Sequence, residues 1–76
     1  MIDVRLFAAL ARAKDSGPPE FEVEARPGLT VRDVAVAAGV RVDDVAIVMV
    51  NGRISELDSP LCDHDRVGLF PAVSGG

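Results

Sequence analysis

Three short segments with the pattern of strands constrain the fold of this chain most, and the first two alternate apolar and polar residues. They run from Met1 to Phe7, from Glu20 to Ala25 and from Arg66 to Pro71. Successive side chains of a strand point to opposite faces of a sheet, so each segment predicts a strand with one buried face. The first two strands are close in sequence and suggest an antiparallel pair. The buried face would carry Ile2, Val4, Leu6, Val67 and Leu69.

One main helix is predicted between the second and third strands. Thr30 is a candidate N-cap because its hydroxyl can accept a hydrogen bond from the backbone N–H of Asp33, and Gly39 can end the helix. The apolar residues recur at i, i+3, i+4 and i+7, which makes one stripe that can cover a sheet. These residues are Val31, Val34, Ala35 and Ala38. A shorter helical turn is predicted over residues 8–14, before a turn that contains Pro18 and Pro19.

The second half of the chain predicts a hairpin. Ala46 to Val50 is predicted as a near-continuous apolar strand, and Asn51-Gly52 is a strong signal for a two-residue turn. A short return strand would start at Arg53, while Asp43-Asp44 would lie in a loop. Two tight turns are expected before the last strand, at Ser59-Pro60-Leu61 and at Asp63-His64-Asp65.

The predicted element order is ββαβ(β)β, with no repeat. We therefore expect an α+β fold in two layers, with one helix across one face of a sheet. Residues 1–71 would form a single domain, and residues 72–76 would form a flexible tail that ends in Gly75-Gly76.

Composition excludes several classes of function. One cysteine and one histidine do not provide a disulfide framework or a Cys/His zinc site, so no metal is expected. Twelve acidic and eight basic residues give a net charge of −4, which argues against nucleic acid as the main partner. The longest apolar run is too short to span a membrane, and the first residues do not resemble a signal peptide. We therefore expect a cytoplasmic protein.

The few reactive side chains do not form a convincing active site. Cys62-Asp63-His64-Asp65 and Asp43-Asp44 are more simply explained as polar loops, and Glu20, Glu22 and Glu24 as the exposed face of a strand. The glutamate stripe could also attract a basic partner. We expect that the chain is not an enzyme on its own.

The terminal Gly75-Gly76 allows a different chemistry. Two residues without Cβ can enter a narrow channel and present the Gly76 carboxylate to the active site of another enzyme. That carboxylate could be activated as an acyl-adenylate without any catalytic group on this chain. A frayed end without function remains the alternative.

Three motifs together resemble the ubiquitin-like sulfur-carrier family, whose branches include the small subunit of molybdopterin synthase (MoaD) and the thiamine-pathway carrier (ThiS). The early motif is Leu6 to Arg12, the middle one is Val48 to Gly52, and the late one is Asp63 to Gly76. The ending Phe70-Pro71-Ala72-Val73-Ser74 is closer to the molybdopterin branch. His64 departs from the family pattern, which usually has glycine in this turn. Histidine accepts a positive φ only at some cost, so the geometry of this turn is the feature that the departure affects.

The resemblance implies a β-grasp fold, with a mixed sheet of four to five strands and one main helix across one face, and a role as sulfur carrier. A ubiquitin-activating-like adenylyltransferase would use ATP and Mg to adenylate Gly76, a sulfurtransferase would supply sulfur for a thiocarboxylate, and the large subunit of a synthase would be the third partner. No cofactor bound to this chain is implied. Molybdopterin biosynthesis is the leading pathway. The alternatives are thiamine thiazole or cysteine synthesis, tRNA thiolation, or protein modification through an isopeptide bond of Gly76.

Alternation also predicts a docking face on the side of the sheet opposite the helix. An exposed group of apolar residues on a small protein suits partner binding, although a partly covered satellite core would use the same residues. The predicted docking residues are Phe7, Ile47, Met49, Phe70 and Pro71.

Overall fold

The computed structural model describes residues 1–8, 10 and 20–71 of the chain. Within these residues, five strands and one α-helix form two layers, and a single turn of 3-10 helix follows the α-helix. The elements are β1 (Ile2–Leu6), β2 (Glu20–Val23), α1 (Val31–Ala37), the 3-10 helix (Val42–Asp44), β3 (Val45–Val50), β4 (Arg53–Ser55) and β5 (Arg66–Pro71).

The strands form one mixed sheet in the order β2-β1-β5-β3-β4. Strands β1 and β5 are parallel, and all other neighbouring strands are antiparallel. The predicted β1–β2 antiparallel pair is confirmed, with Val4 opposite Phe21. The last strand lies in the centre of the sheet, between the first strand and the hairpin. This five-stranded sheet with one helix is the expected β-grasp arrangement.

The hydrophobic core lies between α1 and one face of the sheet. Ile2, Val4 and Leu69 are completely buried there, as alternation predicted. The four residues of the predicted helical stripe are also in the core, together with Leu10, Leu29, Val40, Val48 and Leu61. The fully buried residues described are all aliphatic, and Phe21 packs against them partly buried, so burial of apolar area is the main stabilising contribution of this core.

The helix begins and ends where the sequence predicts. Thr30 is the N-cap, and its hydroxyl accepts a hydrogen bond from the backbone N–H of Asp33 at 3.3 Å. The Asp33 carboxylate in turn accepts a hydrogen bond from the backbone N–H of Thr30 at 3.0 Å, which completes a capping box. This backbone hydrogen bond, followed by the one from the Thr30 hydroxyl, lowers the pKa of Asp33. After α1, Gly39 has a φ of 80° and ends the helix.

The predicted hairpin is confirmed. Asn51 and Gly52 have φ values of 54° and 81°, as a two-residue turn with both residues in the left-handed region requires. His64 also lies in the left-handed region, with a φ of 72°, so the turn at Asp63-His64 forms despite the cost to a residue with a side chain.

Two local predictions were wrong. A turn was predicted at Ser59-Pro60-Leu61, but the turn lies earlier, over residues 56–59. The backbone N–H of Ser59 closes it by donating to the carbonyl of Glu56 at 3.0 Å. Pro60 forms an isolated bridge with Thr30, which ties the segment to the start of α1. Asp43 and Asp44 belong to the 3-10 helix rather than to an irregular loop.

Two predicted segments fall mostly or wholly outside the described residues. Ala8 has a φ of 52°, so the helical turn predicted over residues 8–14 does not begin there. Leu10 is helical and 2% exposed, whereas residues 9 and 11–14 are not described. The tail of residues 72–76 is likewise outside the description. In the described part of the chain, no helix has the length and apolar character needed to cross a membrane.

Candidate functional site

The sheet face opposite α1, called the outer face here, brings four of the five predicted docking residues together. Strand register places Phe70 opposite Ile47, and Gly68 opposite Met49. Phe7 directly follows β1 and lies against Phe70, with ring centroids 4.3 Å apart and ring planes 4° from parallel. Phe7 and Ile47 are 38% and 45% exposed, so these large apolar side chains are in contact with solvent.

Ile54 is a member of this face that the sequence analysis missed. It lies opposite Met49 across the hairpin and is 80% exposed, more than any other large apolar residue described. A two-residue turn at Asn51-Gly52 places Val50 opposite Arg53 and Met49 opposite Ile54. The hairpin motif therefore contained the signal that could have found Ile54.

The apolar side chains of this face form what we call the outer apolar patch: Phe7, Ile47, Met49, Ile54 and Phe70. Exposed side chains that gather on one face are typical of interaction surfaces, whereas scattered ones are ordinary. Val36, which is 64% exposed on α1, is of the scattered kind. Pro71, the remaining predicted docking residue, is partly exposed at the end of β5, opposite Val45.

Charged residues of β1 and β2 border the patch. Arg5 lies opposite Glu20, with Arg5 Nε 3.8 Å from Glu20 Oε1, and Asp3 lies opposite Glu22. Both glutamates are exposed, as predicted for the polar face of this strand. The two members of the Asp3–Glu22 pair have like charge, which gives this border an acidic character.

The position of β5 connects the patch to the end of the chain. Phe70 is the penultimate residue of β5 and Pro71 is its last, and residues 72–76 continue from there. A partner that covers the outer apolar patch would therefore contact the strand from which the tail departs. Gly75 and Gly76 themselves lie outside the described residues, so their predicted role stays a prediction.

The reactive side chains near His64 have structural contacts instead of a catalytic arrangement. Asp63 accepts a hydrogen bond from the amino group of Met1, which lowers the pKa of its carboxyl group. His64 is 88% exposed at its side chain, and its Nε2 lies 3.6 Å from Asp63. Asp65 accepts from the backbone N–H of Cys62 at 2.8 Å, which closes the turn.

A second contact of Asp65 joins this turn to the hairpin. Asn51 Nδ2 donates to Asp65 at 2.9 Å, and Asn51 Oδ1 accepts from the backbone N–H of Arg66 at 3.0 Å. The acidic turn thus fixes the start of β5 against β3. Among residues 1–8, 10 and 20–71, no group of three or more His, Cys, Asp or Glu residues could bind a metal ion.

Comparison with solved structures shows what this fold is similar to. SAMP1 from Haloferax volcanii is 28% identical, with a TM-score of 0.72 over 99% of this chain and 98% of the other. A Pyrococcus furiosus protein named as a molybdopterin converting factor subunit 1 is 31% identical, with a TM-score of 0.71 over 95% and 97%. The complex of subunits 1 and 2 of molybdopterin-converting factor from Helicobacter pylori contains a chain that shares the fold, at 22% identity, a TM-score of 0.60 and coverage of 99% and 97%.

The sequence also matches a family description directly. The ThiS family model matches residues 4–76, which include all but the first two residues of β1, every other described strand, α1 and the two terminal glycines. The match and the shared fold confirm the resemblance found in the three sequence motifs. This chain belongs to the ThiS family of ubiquitin-like sulfur carriers.

Proposed function

We propose that this chain is a sulfur carrier that presents a thiocarboxylate on Gly76. The observation that carries the proposal is the family match, which extends through Gly75-Gly76. The surface geometry is consistent with it, since the outer apolar patch borders the strand that leads to the tail. The carrier acts in the cytoplasm as a substrate or small subunit of larger enzymes and is not a self-contained catalyst.

The proposed chemistry takes place on the C-terminal carboxylate. An oxygen of Gly76 attacks the α-phosphorus of ATP, pyrophosphate leaves, and an acyl-adenylate forms in a ubiquitin-activating-like adenylyltransferase that binds ATP and Mg. Sulfur at the oxidation level of sulfide, delivered by a sulfurtransferase, then displaces AMP and leaves a thiocarboxylate. The thiocarboxylate sulfur then attacks an electrophilic carbon of the acceptor and displaces its leaving group. Water cleaves the bond between the Gly76 acyl carbon and this sulfur, which leaves the sulfur on the acceptor and restores the carboxylate. The small residues of the tail suit a narrow channel in these partners.

The outer apolar patch and Pro71 are proposed to dock the partners. An apolar centre with a charged border is the usual composition of a protein interface. In Helicobacter pylori, subunit 1 of molybdopterin-converting factor forms a complex with subunit 2, and a chain of that complex shares this fold. By analogy we propose a synthase large subunit as the final partner and molybdopterin biosynthesis as the pathway. The 31% identity to the Pyrococcus furiosus protein supports this choice.

A second candidate function is protein modification. It is favoured by the similarity to the Haloferax volcanii protein that is named small archaeal modifier protein 1. The same acyl-adenylate would then be attacked by the amine of a target lysine, and an isopeptide bond to Gly76 would form. Both candidates need the same activation step and differ in the nucleophile.

Intact-mass spectrometry of protein from its own cells distinguishes the candidates. Replacement of one oxygen by sulfur at Gly76 is the expected mass change, and it should be absent from a variant in which Gly76 is deleted. Conjugates to lysine residues of other proteins would instead favour the modifier. If the unmodified mass alone were found, and deletion of Gly76 left growth unchanged in cells that depend on this protein, the proposal would be wrong.

A further inference from the structure

Gly68 is an unusual residue for its position. It lies in the interior of β5, the central strand, with Arg5 on one side and Met49 on the other. Glycine inside a strand weakens it, because it contributes no side chain to packing and is more flexible in the unfolded state. A β-branched residue would suit a central strand better. The reason for a glycine here must therefore be something other than the stability of the strand.

Backbone geometry does not explain this glycine. The described glycines with positive φ are Gly28, Gly39 and Gly52, and Gly68 is not among them. The one irregularity of the β3–β5 pairing lies between Val45 and Ile47, away from Gly68. An L-residue could adopt the backbone conformation of Gly68 without strain.

The space above Gly68 on the outer face does explain it. A Cβ at this position would lie 3.3 Å from Cε2 of Phe7 and 3.5 Å from Cε1 of Phe70. The optimal separation of two carbon atoms is about 3.5–4.0 Å, so the Phe7 ring is too close to accommodate a Cβ without moving. The two stacked rings thus occupy the volume that a side chain would take.

We propose that Gly68 is a positioning residue that lets the Phe7–Phe70 stack lie across β5 and so sets the shape of the docking surface. A side chain at this position pushes the rings outward and separates them from Met49, whose Cβ lies 3.8 Å from the same point. This inference rests on the proposed function, because it assumes that the outer apolar patch binds the adenylyltransferase. It adds a residue that would shape the patch without belonging to it.

The test is a graded pair of substitutions, Gly68→Ala and Gly68→Val, in an adenylation assay. Purified ubiquitin-activating-type adenylyltransferase from the same organism is assayed by ATP–pyrophosphate exchange while the carrier concentration is varied. We expect the KM for the carrier to rise about threefold for G68A and about tenfold or more for G68V, with kcat unchanged. Thermal unfolding should show that both variants are fully folded at the assay temperature, because the better strand propensity of alanine and valine offsets part of the cost of moving the Phe7 ring.

A double-mutant cycle separates positioning from other effects. In a Phe7→Ala background the ring that the new Cβ approaches most closely is absent, so G68V should change KM by less than about twofold. The NMR chemical shifts of the Phe70 ring in the free protein should move on G68V with Phe7 present, because the stacked Phe7 ring is displaced. With Phe7 absent the shifts should move less, because only the direct contact of the new side chain with Phe70 remains. The change with Phe7 present reports the position of the Phe7–Phe70 stack in the absence of any partner protein.

The outcomes distinguish this inference from the proposed function. If F7A raises KM but G68V does not, or if G68V raises KM equally in both backgrounds, Gly68 does not position the stack. If F7A and Ile54→Ala both leave KM unchanged, the outer apolar patch does not dock the adenylyltransferase, and the proposed docking fails together with this inference. An unchanged Phe70 spectrum in G68V would overturn the positioning role even if KM rose.

Discussion

Ile54→Ala provides the most direct test of the outer apolar patch. Ile54 is 80% exposed, so loss of its side chain removes little packing from the folded monomer, and the free energy of unfolding should change by less than about 0.5 kcal/mol. The substitution removes three carbons, each worth about 0.8 kcal/mol when transferred from water to an apolar interface. Scaling by the 80% that is still exposed gives about 1.9 kcal/mol for complete burial by a partner. This corresponds to an increase in Kd of about 20-fold.

Isothermal titration calorimetry with the adenylyltransferase measures this Kd. Val36→Ala is the matched control, because Val36 is also an exposed aliphatic residue, 64% accessible, but lies on α1, in the layer on the other side of the sheet. We expect I54A to weaken binding by an order of magnitude and V36A to leave it unchanged. Equal Kd values for the two variants would show that binding depends on exposed apolar residues in general or not at all, and would refute the assignment of the patch.

Three further predictions concern the turns and the helix cap. Asn51→Gly keeps the positive φ but removes the side-chain hydrogen bonds with Asp65 and with the backbone N–H of Arg66. The free energy of unfolding, measured with urea, should fall by about 1–2 kcal/mol, and an unchanged urea midpoint would contradict this. His64→Gly should be more stable than His64→Ala by about 1 kcal/mol, since φ is 72° there, and equal melting temperatures would disprove the strain. The folded-state pKa of Asp33 lies below its ordinary value of 3.8, so its contribution to stability is present above that pH and is lost as pH falls through the folded-state pKa. The difference in melting temperature between the wild type and Asp33→Asn, a variant that cannot titrate, should therefore narrow on acidification, and a gap independent of pH would rule this out.

Local pattern was sufficient for most elements but not for their long-range pairing. Thr30, Gly39 and Asn51-Gly52 were predicted correctly because caps and tight turns depend on a few adjacent residues. The parallel pairing of β1 with β5 was not predicted, since nothing within either strand specifies a partner more than 50 residues away in the chain. Pro60 was misassigned for the same reason. Proline is a local turn signal, but its position here is determined by the bridge to Thr30.

The candidate site was predicted in part. Alternation placed Phe7, Ile47, Met49 and Phe70 on one face, and the structure brings them together. Ile54 was missed because β4 has only three residues, too few for a recognisable alternation. The role of Gly68 could not be read from the sequence, because it depends on where the Phe7 ring lies in three dimensions.

The central position of β5 determines how docking and the tail can work together. Adjacent residues of this strand have opposite environments: Leu69 is completely buried beneath α1, whereas Phe70 lies on the outer face. Because β5 pairs with β1 on one side and β3 on the other, the outer apolar patch and Pro71 belong to one hydrogen-bonded unit. A partner bound to the patch therefore also fixes the point from which residues 72–76 depart. Five residues span at most about 18 Å when fully extended, so the catalytic site of any partner that docks here and uses Gly76 must lie within about that distance of Pro71.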